Sequence, residues 1–184
     1  MSTPKPTSIF ALLAWMAIAT AAHAQNNTHN NSQSPHLGTP MSKAEVAKWD
    51  ITVFPDGRGL PPGHGTAKDG RAIYVQKCAS CHGDQGQGAT ADDLVSGPRP
   101  PTADHPNKAI GSYWPYATTI FDFLRRAMPP AAPGSLSSDE LYALTAYLLA
   151  ANKIIAETDE MDALSLPKIQ MPNRDGFIPI DAKK

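Results

Sequence analysis

Cys78-Ala79-Ser80-Cys81-His82 sets two thiols three positions apart with an imidazole directly after the second, and both cysteines of the 184-residue chain fall inside it. This C-x-x-C-H spacing is the attachment pattern of a c-type haem. Two thiols on one helical turn can each add to a haem vinyl group, and the adjacent imidazole can bind the iron as one axial ligand. A structural zinc site would need four ligands, and no further cysteine exists to supply them. A thioredoxin-like dithiol would sit in a βαβ setting, and no strand-rich pattern surrounds this one.

An electron-carrying iron with His82 on one side needs a second ligand on the other. Methionine thioether is the usual choice, since soft sulfur favours the ferrous state. Methionine is also a common core filler, so context must decide among Met41, Met128, Met161 and Met171. Met128 has the most suitable setting, in Arg125-Arg126-Ala127-Met128-Pro129-Pro130. It follows a helical pattern and precedes two prolines, which force an extended loop. Met171, also followed by proline, is the alternative. Histidines 29, 36, 64 and 105 and an open sixth position remain further options.

A ligating imidazole usually donates its second N–H to a carbonyl. Leu94-Val95-Ser96-Gly97-Pro98 reads either as the loop supplying that acceptor, at Pro98, or as an ordinary Gly-Pro turn. Haem propionates are charges that need partners, and Arg99, Tyr113, Trp114 and Arg125 are candidates. The expected haem-binding set is therefore Cys78, Cys81, His82, Met128, Pro98, Trp114 and Arg125, with His82 and Met128 on the metal and no catalytic residue.

Three helices must position these groups. The first starts at Thr66, with Asp69 completing an approximate capping box, and ends at Cys78. Gly70 weakens that helix but lets another approach it closely, and Tyr74 is expected to meet Tyr147 at the crossing. The second is predicted over Pro115–Ala127, with Tyr116, Ile120, Phe123, Leu124 and Ala127 as its apolar stripe. The third opens on Ser137 with Glu140 as capping box and Leu136 and Leu141 as hydrophobic staple, then runs to Asn152. An earlier box, Ser42 with Glu45, predicts a short helix near 43–49.

The N-terminus carries Lys5, an apolar stretch from Ile9 to Ala22, and the A-x-A site Ala22-His23-Ala24. That is the pattern of a secretory signal peptide over 1–24, too short for a comfortable membrane span. Export matches covalent haem attachment, which takes place outside the cytoplasm, and points to the periplasm. Removal leaves roughly 160 residues, enough for one domain with a core partly made of haem. A formal charge of −1 with no basic run argues against nucleic acid as a partner. The 18 prolines and 13 glycines imply long ordered loops in place of sheet. The expected organisation is a polar, disordered leader at 25–40, an arm at 41–65, a haem domain at 66–152 and an extended surface tail at 153–184.

Helix, C-x-x-C-H, loop, helix, Met-Pro and a final amphipathic helix together resemble the class I cytochrome c fold, an all-α architecture, here with an added arm and tail. Gly111 to Thr119, Arg125 to Pro129, Met171 to Phe177 and the leader from Trp49 to Gly63 are similar to segments of the SoxD family. Its members are cytochrome subunits of periplasmic sulfur dehydrogenases, shared with related sulfite dehydrogenases. The longer members carry two haem domains, whereas two cysteines allow one here. The resemblance implies a monohaem electron carrier. It would accept electrons from a molybdenum-cofactor sulfur-compound dehydrogenase and pass them to a downstream cytochrome, without stable membrane insertion. A general shuttle to a terminal oxidase and a haem enzyme with an open sixth site are the rival readings.

Overall fold

Among the described residues the regular elements are all short, and several of them pack on one buried helix. The structure, a computed structural model, describes residues 37–97, 107–178 and 180–181. The expected signal peptide lies outside these residues, as does the leader up to residue 36. In chain order the elements are α1 (Lys43–Trp49), β1 (His64–Thr66), α2 (Ala67–Lys77), α3 (Ala79–His82), α4 (Ile110–Tyr113), α5 (Ala117–Ala127), α6 (Ser138–Ala151) and β2 (Glu160–Asp162). A 3₁₀ turn at Leu166–Lys168 follows.

The local start signals work as the sequence suggests. The Thr66 hydroxyl accepts the Asp69 N–H at 3.2 Å to open α2. At α6 the box is complete: the Ser137 hydroxyl accepts the Glu140 N–H at 3.3 Å, and the Glu140 carboxylate accepts the Ser137 N–H at 2.8 Å. Leu136 and Leu141 flank the cap and are both buried. Each such cap satisfies helix N–H groups that have no partner within the helix.

Helix α6 is the central element, buried on most of its circumference. Gly70 of α2 lies on it so closely that an added Cβ would fall 1.9 Å from the Ala143 carbonyl oxygen. Tyr74, fully buried one turn later, meets Tyr147 with ring centroids 4.9 Å apart and donates its O–H to the Gly83 carbonyl at 2.8 Å. Burial pushes its phenol up to about 12. It therefore stays a hydrogen-bond donor across the neutral range.

Helix α5 differs from expectation in its start and in the width of its buried face. It begins at Ala117, with Tyr116 extended at the N-cap, so Pro115 precedes the helix. Its buried residues are Ala117, Thr118, Ile120, Phe121 and Leu124. Phe121 stacks on Tyr142 of α6 at 4.6 Å, a contact the predicted stripe omitted. This contact sets the helix rotation and leaves Phe123 45% exposed, edge-on to Trp114.

The tail is not confined to the surface. β2 pairs antiparallel with β1, Gly65 opposite Met161, and Met161, Leu166 and Met171 enter the same core as α2, α5 and α6. Val53 of the arm joins them. Both segments therefore contribute to the folded core, whatever else they do.

Asn152 closes α6 and is fully buried. Its side-chain oxygen accepts the N–H groups of Ser96 and Gly111, both at 3.1 Å. Its amide nitrogen donates to the carbonyls of Leu94 at 3.0 Å and Leu148 at 2.9 Å. One side chain thus ties the loop at 94–96, α4 and α6 together. Asn152→Ala would leave those backbone groups without their partner and is expected to cost about 3–5 kcal/mol. Urea unfolding of the haem-loaded protein measures it. Gly70→Val, which forces a side chain into the Ala143 backbone, is expected to leave no folded protein in the same assay.

Candidate haem site

Helix α2 ends at Lys77, and Cys78 joins it to the single turn of α3, which carries Cys81 and ends on His82. The thiols are free of any disulfide. Burial pushes the Cys78 thiol up to about 11.

The chain then turns back under His82. Gly88 N–H donates to the His82 carbonyl at 2.8 Å and Ala91 N–H to the Cys81 carbonyl at 2.9 Å. Gly86 makes the turn with φ +78°, and its carbonyl accepts the N–H groups of Leu94 and Val95. This return brings the Asp92 carbonyl to 2.7 Å from His82 Nδ1. A carbonyl oxygen can only accept, so Nδ1 carries the proton and the Nε2 lone pair is left for a metal. The acceptor here is the Asp92 carbonyl, reached by the glycine-rich turn, in place of the Pro98 carbonyl that was one of the two readings of the Gly97-Pro98 step. Pro98 and Arg99 lie outside the described residues.

Met128 is the C-cap of α5. Its N–H donates to the Leu124 carbonyl at 3.1 Å and its backbone is extended, the conformation favoured before proline. Met161 and Met171 are buried in the core. His64 is exposed, and His29, His36 and His105 fall outside the described residues.

One cleft of about 190 Å³ brings the expected residues together. The segment 74–94 contributes Tyr74, Cys78, Cys81, His82, Ala91 and Leu94. The α4–α5 region and its following loop contribute Ile110, Trp114, Ile120, Phe123, Leu124, Met128, Pro129 and Pro130. Leu144 and Leu148 of α6 complete it, and Lys77 is the one lysine or arginine among the lining residues. Two thiols, an imidazole nitrogen and a thioether within an otherwise apolar lining suit a flat, apolar macrocycle with a central iron. The residues present fit a haem.

Two members of the expected set behave differently. Trp114 lines the cleft, with its Nε1–H donating to the Lys108 carbonyl at 2.9 Å. Arg125 does not line it, and its guanidinium donates to the Ile51 carbonyl at 3.1 Å. Tyr113 packs edge-on against Phe177 and is likewise absent from the lining. The residues that sequence reasoning did not assign to the site include the aliphatic ones, Ala91, Leu94, Ile110, Ile120, Leu124, Leu144 and Leu148. Nothing in their spacing separates a cleft lining from ordinary core. A second cleft of about 580 Å³, between Lys68, Arg71, Asp84 and Glu157, shares no residue with the first. Among the described residues no cluster of three or more His, Cys, Asp or Glu side chains is placed to hold a metal ion. No helix among them is long and apolar enough to cross a membrane.

Comparison with known proteins gives three matches. Residues 65–148 match the family model of cytochrome c oxidase, cbb3-type, subunit III. Over 111 residues the chain is 32% identical to a thiosulfate dehydrogenase of Stutzerimonas stutzeri (strain A1501). That alignment covers 54% of this chain but only 35% of the length of that curated relative. The fold is similar to a chain in the crystal structure of the sulfane dehydrogenase SoxCD from Paracoccus pantotrophus. The TM-score is 0.73 and the identity 38%, covering 80% of this chain and 73% of that one. The helix-rich fold with its single small sheet, the C-x-x-C-H turn and these matches agree: the chain belongs to the cytochrome c family as a SoxD-like cytochrome, a membership that implies covalently bound haem c.

Proposed function

We propose that this chain is a periplasmic monohaem electron carrier, which takes single electrons from a molybdenum-cofactor sulfur-compound dehydrogenase and hands them to a downstream cytochrome. The observation that carries this reading is the convergence of Cys78, Cys81, His82 and Met128 on one apolar cleft. When bound, haem c supplies an iron that holds or releases one electron at a time.

The protein's own groups do the rest. Cys78 and Cys81 would hold the macrocycle through two thioether bonds, one from each end of the α3 turn. His82 offers Nε2, oriented by the Nδ1–H donated to Asp92. Met128 offers a thioether, which stabilises the ferrous state and raises the potential. The apolar lining excludes water and disfavours the extra positive charge of the ferric state, in the same direction. Bond-making is assigned to the partner enzyme. The chain carries two cysteines and hence one haem, which limits it to one electron per docking event.

The dehydrogenase partner is inferred from similarity to a chain of a sulfane dehydrogenase complex and to part of a thiosulfate dehydrogenase. The second of these also supports a rival, a haem that itself oxidises thiosulfate at an open sixth site. The two readings differ in coordination. A carrier shows a six-coordinate, low-spin spectrum.

Two experiments check these points. Met128→Ala is expected to abolish the sulfur-to-iron absorption of the ferric protein, lower the reduction potential, and allow cyanide and carbon monoxide to bind readily; ready binding by the parent protein would favour the catalytic rival. In the second, the oxidised holoprotein is mixed with periplasmic extract of its own host and given sulfite or thiosulfate. Substrate-dependent growth of the reduced α band, lost when the host is starved of molybdenum, is the expected outcome. Reduction by other respiratory donors alone would make the protein a general shuttle.

A further inference from the structure

Three consecutive arm residues are each held by the last turns of α5. The Val53 N–H donates to Asp122 Oδ1 at 2.9 Å, the Ile51 carbonyl accepts from Arg125 Nη1 at 3.1 Å, and the Thr52 hydroxyl accepts from Arg126 Nη2 at 3.0 Å. Asp122 and Arg126 are themselves paired, Nε to Oδ2 at 2.8 Å. Positions 122, 125 and 126 share one face of the helix. Asp122 is 22% exposed and Val53, at the grip, is buried in the core, so this is not a pair waving in solvent.

The grip ends two residues before Met128, whose N–H is held by the carbonyl of Leu124 within the same turn. After Met128 the two prolines have no N–H to donate, and the loop's own backbone hydrogen bonds begin with the Ala132 N–H on the Pro129 carbonyl at 2.9 Å. The position of the thioether thus depends on the end of α5, and the end of α5 is braced by the arm.

We propose that Asp122, with Arg125 and Arg126, is a positioning residue that clamps the arm so that the arm holds Met128 against the haem iron. The proposal rests on Met128 being the sixth ligand. Its consequence concerns ligand exchange: added imidazole replaces the thioether sulfur on the ferric iron, one ligand bond for another with no change in oxidation state. Loosening the clamp lowers the cost of that replacement without touching the cleft.

The test uses full-length haem-loaded protein and titrates imidazole against the sulfur-to-iron absorption. Asp122→Ala is expected to bind imidazole about tenfold more tightly than the parent, with a normal His82 side and a normal α-helical spectrum. Thr52→Val, on an exposed residue and removing only the Arg126 contact, is expected to give a smaller shift of about two- to threefold, and serves if Asp122→Ala fails to fold. Faster amide exchange at 124–128 in the haem-loaded variants should accompany both. Ser137→Ala, which removes the cap of α6 and none of the clamp's hydrogen bonds, is the control and should leave imidazole affinity unchanged. Affinities of the clamp variants within error of the parent, or an equal rise in Ser137→Ala, overturn the clamp. Absence from the parent of any absorption that Met128→Ala removes overturns Met128 ligation instead, and the clamp with it.

Discussion

The contact of Gly70 with the backbone of Ala143 is the constraint on which the rest of this structure depends. Gly65 approaches the same residue from β1, where an added Cβ would stand 2.4 Å from Ala143 N. Two glycines therefore press on one alanine of the central helix, and no side chain separates the backbones there. From this crossing the geometry propagates in both directions. Tyr74 and Tyr147 fall into contact one turn on, and Cys78 arrives beside Leu144 and Leu148 of α6, where all three line the cleft. Toward the N-terminus, the same approach sets β1 where β2 can pair with it. A glycine inside a helix lowers that helix's own stability by about 1 kcal/mol relative to alanine. The close packing it permits outweighs that, because each residue on α2 then meets more of α6.

What could be read from the sequence was whatever is encoded over four or five residues. C-x-x-C-H, both capping boxes, the staple at Leu136 and Leu141, and Met before two prolines are local patterns with local causes. Their counterparts in space follow closely. What escaped reading depends on partners far along the chain. Asn152 looks like a helix end, and nothing near it announces that its amide will satisfy backbone groups at Leu94, Ser96 and Gly111. The Asp92 carbonyl reaches His82 only because a glycine turn folds back, and several turns were possible for that composition. The buried face of α5 is wider than its apolar stripe for a related reason. Phe121 joins Ile120 and Leu124 in the core against Tyr142, which belongs to a different helix, while Phe123 lines the cleft.

Arm and tail follow from the size of the haem domain. A chain segment of this length that wraps a cofactor has a cleft where other folds have core, so fewer of its side chains can pack on one another. Val53, Met161, Leu166 and Met171 come from outside the α-helices and join the same core. The tail also covers the turn into α5. Asn173 donates to the Tyr113 carbonyl at 2.7 Å, Arg174 lies 4.3 Å over the Tyr116 ring, and Phe177 packs on Tyr113. Trp114, between those tyrosines, lines the cleft. Segments that look dispensable in sequence thus hold the frame of the site.

The two sides of the cleft are consequently held by different physics. His82 sits within a few residues of both cysteines, on a turn whose carbonyls are satisfied by Gly88 and Ala91, so its position is fixed locally. Met128 is fixed by a helix end, and that end by residues some seventy positions away. Local constraints survive partial opening of the fold, whereas long-range ones are lost together when an arm detaches. With Met128 as the proposed sixth ligand, loosening the arm would act on the thioether while leaving the attached side undisturbed. The proposed clamp thus ties the arm, through α5, to the iron's reducibility.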